Sequence, residues 1–224
     1  MFWAVHMGAE MTVRMDVLRR GVRLEALTVT WMAFEAALAV GAGIAARSVL
    51  LTVFGTDSVI ELLSGAILFW RLRSEARGGD WANIDVLEKR STQISAVLLI
   101  LLCGYVVLSS IAGLLLRLEP APSWLGLAVA ATAVICMPWL ALQKRRVNVR
   151  LQSAALRADI VESLTCAYMA AVTLVGVAIN AFTGWWWIEY LAAIALLRWL
   201  IPEAREAFEA ARGARAASLS KREP

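Results

Sequence analysis

Two short stretches place acidic and sulfur-containing side chains at helical spacing. The stretch LRADIVESLTCAY contains Asp159, Glu162 and Cys166, at spacings of three and four residues. The stretch FGTDSVIELLSG contains Asp57 and Glu61, again four residues apart. On a helix, side chains at these spacings lie on one face, about one turn from each other. Each stretch therefore directs two or three candidate metal ligands the same way.

The sequence around these stretches is typical of an integral membrane protein. Of its 224 residues, 60% are hydrophobic and only 18% are charged. Runs of about 20 apolar residues are long enough to cross the hydrocarbon core. An acidic residue at the centre of such a helix costs about 2.5–3.5 kcal/mol on insertion scales, so it normally marks a pathway or a binding site. We therefore interpret the two stretches as the halves of one divalent-metal site.

Composition narrows the chemistry of that site. The net charge of +4 is small and the basic residues cluster in loops, which argues against nucleic-acid binding. Cys103, Cys136 and Cys166 all lie in apolar segments, which argues against a disulfide framework. The only histidine, His6, precedes the first predicted span. A metal site inside the membrane must therefore use carboxylates and sulfur, and we expect the metal to be cargo rather than a resident cofactor.

The hydropathy pattern predicts an all-α membrane protein with six transmembrane helices. The predicted spans are 24–46, 49–70, 93–116, 124–142, 153–182 and 185–201. Residues 1–23 are predicted to be a cytoplasmic segment without a convincing signal peptide. Residues 204–224 are predicted to be a polar helical extension followed by a disordered tail.

Lysine and arginine residues predict the orientation. They are abundant in the amino-terminal segment, in the 71–90 and 144–150 links and in the tail, whereas the opposite loops carry only Arg47 and Arg117. Because cytoplasmic loops are enriched in these residues, both termini are expected to be cytoplasmic.

With this topology the second helix runs inward and the fifth runs outward. Asp57, Glu61, Glu162 and Cys166 then lie at similar depth near the midplane, and antiparallel packing would bring Glu61 near Glu162 and Asp57 near Cys166. The alternative is that protonation or a buried hydrogen bond neutralises each carboxylate separately, and that the cysteine is a small packing residue.

Apposed carboxylates in a low-dielectric site repel one another. A divalent cation relieves this repulsion when bound, and protons relieve it when the cation leaves, so the cluster as a whole suits metal–proton exchange. Four oxygen and sulfur ligands suit tetrahedral Zn²⁺. A thiolate argues against Mg²⁺ and Ca²⁺ and leaves Fe²⁺, Co²⁺, Mn²⁺ and Cd²⁺ open.

Two further acids have open interpretations. Asp159 is either an entry-path or proton-relay residue, or the partner of Arg157 or another basic side chain. Glu35, near the middle of the first span, either takes part in proton coupling or makes a structural hydrogen bond to a neighbouring helix. Gly41 and Gly43 are expected to permit close contact between helices.

These features resemble the transmembrane domain of the cation diffusion facilitator family. The resemblance covers roughly residues 20–210 and rests on the paired motifs TDSVIE and LRADIVESLTC, with SAALRAD and GWWWIEYLAA in support. It implies six helices with both ends cytoplasmic, export of Zn²⁺ and related ions in exchange for protons, and a homodimer. The family's metal site uses two residues four apart on the second helix and two on the fifth. These positions fall on Asp57, Glu61, Glu162 and Cys166.

The sequence departs from the family's usual pattern in ways that bear on metal identity. The usual pairs are aspartates, or histidine with aspartate, whereas Glu61, Glu162 and Cys166 stand at three of the four positions here. No histidine-rich loop is present, and the resemblance implies a short, transmembrane-only branch without the cytosolic ferredoxin-like domain.

We therefore expect a proton-coupled efflux transporter for a divalent transition metal, with Zn²⁺ favoured, that works by alternating access. Its expected location is a bacterial-type inner (plasma) membrane, and its expected partners are metal ions, protons, membrane lipid and a second copy of the chain. The alternative is a membrane metal-binding sensor or accessory protein that transports nothing. An enzyme is not expected, because HExxH and GxSxG motifs are missing and no histidine lies in a predicted span.

Overall fold

The computed structural model describes residues 2–77 and 82–220, and this part of the chain is entirely helical apart from short connections. The six helices are α1 (Phe2–Ala46), α2 (Val49–Arg77), α3 (Ala82–Leu116), α4 (Trp124–Leu151), α5 (Ala154–Thr183) and α6 (Trp187–Ser220). The predicted all-α architecture is confirmed.

Five of these helices are long and apolar enough to cross a membrane. They comprise Met15–Ala46 of α1, all of α2, Gln93–Leu116 of α3, all of α4 and Leu156–Thr183 of α5. The sixth helix is present as predicted. Its first half carries three charged residues, Glu189, Arg198 and Glu203, and it is not one of the five helices that are apolar enough to cross a membrane.

Several helices extend beyond the predicted spans. Helix α4 continues through the basic segment predicted as a link and ends only at Gln152, whose left-handed backbone (φ 53°) closes the helix on Asn148. The segment 144–150 contains no glycine or proline, and Lys and Arg are good helix formers, so nothing in it stops the helix. Of the predicted 78–90 link, residues 78–81 lie outside the described residues and the remainder belongs to α3. Helix α6 continues to Ser220, through most of the predicted polar extension and tail.

Short connections reverse the chain between successive helices. Arg47 and Arg117 adopt positive φ of 54° and 51° at the ends of α1 and α3. Ser153 caps α5 by accepting a hydrogen bond from the Leu156 N–H, and Gly184 (φ 71°) closes its other end. The two stretches with candidate ligands are therefore carried by the antiparallel helices α2 and α5.

Helix α2 lies at the centre of the bundle, in contact with α1, α3, α5 and α6. The shared core includes Phe54, Leu99, Met137, Met169 and Leu196, each at most 2% exposed. Large apolar side chains cover much of the outer surface as well, as expected where lipid rather than water surrounds the protein. The central position of α2 is what places its acidic residues at the contacts with α5 and α6.

Helices α1 and α2 approach so closely that glycine is required at the contact. A Cβ atom at Gly55 would lie 2.6 Å from the backbone nitrogen of Val40, and one at Gly43 would lie 2.6 Å from that of Thr52. A Cβ atom at Gly41, by contrast, would have no atom of a neighbouring helix within 4 Å. The predicted contact role is confirmed for Gly43 and wrong for Gly41, because the sequence does not show which face of α1 meets α2.

Replacing Gly55 with Ala should therefore destabilise the bundle. The new methyl group would meet main-chain atoms that cannot rotate away, and overpacking of this kind typically costs about 1–3 kcal/mol. Gly41→Ala is the matched control, since it makes the same change in helix propensity on an open face of α1. Thermal unfolding in detergent micelles should give a lower midpoint for Gly55→Ala than for Gly41→Ala, and equal midpoints would contradict the close contact.

Candidate metal site

Helix α2 contributes two buried acids, Asp57 and Glu61, which lie one turn apart. Asp57 is 1% exposed and Glu61 is 2% exposed. The Oδ1 atom of Asp57 accepts no hydrogen bond from any residue that the structure describes, and the donor beside the Glu61 carboxylate is the Cys166 thiol, which donates only weakly. Burying a carboxylate without donors is costly. These oxygens are therefore suited to a ligand that the chain itself does not supply.

Helix α5 contributes Glu162 and Cys166, which face α2. The carboxylate of Glu162 accepts a hydrogen bond from the Ser64 hydroxyl of α2 at 2.6 Å. The Cys166 thiol is 1% exposed and interacts electrostatically with both Glu61 and Asp57. Glu162 in turn interacts with both of these α2 acids. The structure thus brings all four predicted ligands into one cluster.

The four side chains are neighbours without converging on one point. Among the described residues, no group of three or more His, Cys, Asp or Glu side chains has the arrangement needed to hold a metal ion. One oxygen of the Glu162 carboxylate is instead occupied by the hydrogen bond from Ser64 of α2. A role as metal ligands therefore stays a prediction for these four residues.

Glu35 of α1 also belongs to this cluster. Its Oε1 atom accepts a hydrogen bond from the Ser58 hydroxyl at 2.9 Å and one from the Cys166 thiol at 3.6 Å. Glu35 is fully buried. The expected hydrogen bond to a neighbouring helix is therefore present, in fact to two helices, and a role in proton coupling stays a prediction.

Glu203 of α6 is a member of the cluster that the sequence analysis missed. Asp57, Glu61 and Glu162 all interact electrostatically with it. The predicted sixth span ends at residue 201 and the predicted polar extension begins at 204, so Glu203 falls between them without an assigned role. A signal was available, because Leu200 and Ala204 continue the buried face of α6, and Glu203 lies between them, three residues after Leu200.

A second group of charges lies about one turn from this cluster, on the side of the bundle predicted to be cytoplasmic. The Lys144 ammonium group is 2.5 Å from Asp159 and 3.1 Å from Glu25, and all three side chains are buried. Asp159 therefore pairs with a basic side chain, namely Lys144 rather than Arg157, which is exposed. Lys144 had been expected in a solvated link and is instead a buried residue of α4. A role for Asp159 in ion entry or proton relay stays a prediction.

Glu189 in the first turn of α6 forms a third polar contact between helices. It accepts hydrogen bonds from the hydroxyl of Ser48, in the connection before α2, and from the Asn180 side-chain amide of α5, the latter at 2.7 Å. The helix terminus favours an acid at this position. Because its oxygens are satisfied by the chain, Glu189 is a structural acid and does not compete for the role of Asp57 and Glu61.

These observations define an integral, multi-pass helical membrane protein of the transporter class, with a buried acidic cluster where four helices meet. The model of the cation efflux transmembrane domain matches residues 26–210, well over half of the chain. The chain therefore belongs to the cation efflux family, whose members are transporters rather than enzymes, and it is a metal cation efflux transporter. The comparison with curated proteins finds no match.

The Lys144 group allows a direct test of the fold around the cluster. Lys144→Met would leave two buried carboxylates without their cation, and breaking a buried ion pair in this way costs about 3–5 kcal/mol. Arg145→Met is the matched control, since Arg145 is the exposed neighbour on the same helix. The midpoint of thermal unfolding in detergent should fall strongly for Lys144→Met and stay close to the wild-type value for Arg145→Met, because only the first change removes stability. Adding Glu25→Gln and Asp159→Asn should restore much of it, and failure of this rescue would contradict the ion-pair explanation.

Proposed function

We propose that this protein exports a divalent transition metal, with Zn²⁺ favoured, in exchange for protons. The observation that carries the proposal is the pair of buried acids on α2, whose unpartnered oxygens face Glu162 and Cys166 across the contact with α5. Such a cluster carries excess negative charge in a low-dielectric environment, which either a divalent cation or protons can neutralise. Exchange of one for the other is the reaction that this physics favours.

Asp57, Glu61, Glu162 and Cys166 are the proposed ligands of the transported ion. Three carboxylates and one sulfur atom suit a four-coordinate Zn²⁺ ion and disfavour hard cations such as Mg²⁺. For its sulfur to bind a metal, the thiol must lose its proton. Glu35 accepts the hydrogen bond of that thiol and is the proposed first acceptor of the proton.

Binding must be accompanied by a rearrangement of the helices. The hydrogen bond from Ser64 ties the Glu162 carboxylate to α2 in an arrangement where the four groups do not converge, so we infer that it breaks or shifts when all four reach one ion. The relative movement of α2 and α5 that this requires is the proposed link between ion binding and alternating access.

The proposed function also includes an orientation in the membrane and a homodimeric assembly. The distribution of Lys and Arg supports cytoplasmic termini in a bacterial-type inner membrane, and the match to the cation efflux domain supports export as the direction of transport. The family resemblance of the paired motifs supports a homodimer. The alternative function, a metal sensor or accessory protein, shares the binding site and differs only in that no ion crosses the membrane.

Uptake into proteoliposomes tests transport. Purified protein should carry Zn²⁺ at a rate that follows an imposed pH gradient and falls when an ionophore collapses it. Asp57→Asn keeps the side-chain shape but removes the charge, and should lower the initial rate at least about tenfold, equivalent to about 1.4 kcal/mol. Glu119→Gln is the matched control, because Glu119 is exposed in the connection between α3 and α4. Zn²⁺ binding without flux in the wild type would refute transport and favour the sensor.

Competition between metals tests the sulfur ligand. In Cys166→Ser a hard hydroxyl replaces a soft thiolate, so the preference for Cd²⁺ and Zn²⁺ over Mn²⁺ should fall. The measurement is inhibition of Zn²⁺ uptake by each competing ion, compared between Cys166→Ser and Cys136→Ser, since Cys136 is a partly exposed cysteine of α4. An unchanged order of preference would show that the thiol is not a ligand.

A further inference from the structure

A cleft between α5 and α6 reaches the acidic cluster from the side of the bundle. Its volume is about 520 Å³, and its polar lining consists of Glu162 and Thr165 from α5 and Arg198, Glu203 and Glu206 from α6. The remainder of the lining is apolar or aromatic. Three carboxylates and one guanidinium group give the cleft a net negative charge.

Glu203 occupies a particular position in this cleft. Its side chain is partly buried, and its Oε2 atom is shielded from solvent and accepts no hydrogen bond from the described residues. The basic residue of the lining, Arg198, extends over the ring of Trp199, with the guanidinium carbon 5.7 Å from the ring centroid. In the part of the chain that the structure describes, no basic side chain forms an ion pair with Glu203.

The cleft and the buried acids are electrostatically connected through Glu203. Asp57 and Glu61 are 1% and 2% exposed and do not line the cleft, yet both interact with Glu203. Glu162 belongs to both places, because it lines the cleft and interacts with Glu203 and with the α2 acids. A cation that enters the cleft therefore meets Glu203 and Glu162 before it reaches the unpartnered oxygens of α2.

We propose that Glu203 and Glu162 form an access site for the transported divalent cation, which binds there before it passes to Asp57 and Glu61. The inference deepens the proposed function and rests on it. Two carboxylates from different helices hold the partly hydrated ion, and Glu162 then serves both sites, so transfer requires only that the ion exchange Glu203 for the α2 acids. The unpartnered, nine-tenths buried carboxylates beyond the cleft supply the attraction that draws the ion inward.

The concentration dependence of transport tests this role. Initial rates of Zn²⁺ uptake would be measured in proteoliposomes for the wild type, Glu203→Gln, Glu203→Asp and Glu209→Gln. Loss of an access site lowers capture more than turnover, so Glu203→Gln should raise KM about tenfold while the rate at saturating Zn²⁺ stays within about twofold. Glu203→Asp keeps the charge and should remain close to the wild type. Glu209→Gln changes an exposed residue of the same helix, and its KM should equal that of the wild type.

A binding measurement makes the test independent of flux. Asp57→Asn weakens the deep site, and equilibrium dialysis in detergent should still show one weakly bound Zn²⁺, which the added Glu203→Gln change should remove. Gel filtration establishes that both variants are folded. An unchanged KM in Glu203→Gln, a fall in maximal rate alone, or equal Zn²⁺ binding by the single and double variants would overturn the inference. Absence of wild-type flux would instead refute the proposed function.

Discussion

Asp57 and Glu61 are buried where the described residues offer their carboxylates little more than the weakly donating Cys166 thiol, and much of the structure can be understood from this constraint. A carboxylate in such a place is stable only if something else neutralises it. Every neighbour with charge that the structure places near them is itself an acid or a thiol: Glu35, Glu162, Cys166 and Glu203. The cluster is therefore incomplete without a cation or protons, and this incompleteness is what a transporter of cations requires.

Other buried acids differ from Asp57 and Glu61 because the chain itself supplies their partners. Asp159 and Glu25 share the ammonium group of Lys144, and Glu189 is satisfied by Ser48 and Asn180. The same fold thus supplies internal partners to some acids and withholds them from others. Acids with internal partners join helices together, and acids without them remain available to the transported ion.

The position of α2 in the bundle relates the acidic cluster both to the helices that supply its members and to the cleft that leads toward it. Helix α2 packs closely on α1 through Gly43 and Gly55, which leaves its opposite side to meet α5 and α6. Relative movement of α5 against α2 changes the distance between the two ligand pairs, whereas the cleft between α5 and α6 offers a lateral approach through Glu203. The proposed binding and movement therefore involve α2 and α5, whereas the proposed access involves α5 and α6.

Apolar length and four-residue spacing are local properties of the chain, so the sequence alone was sufficient to predict the all-α architecture, the family and two pairs of candidate ligands. Only the tertiary structure decided which acids find partners. The partner of Asp159 proved to be Lys144, from a segment predicted as a link, and Glu203 proved to face the site from a position beyond the predicted sixth span. Such contacts join residues distant in sequence, and they depend on helix rotation and end positions, which local patterns specify only within about a turn.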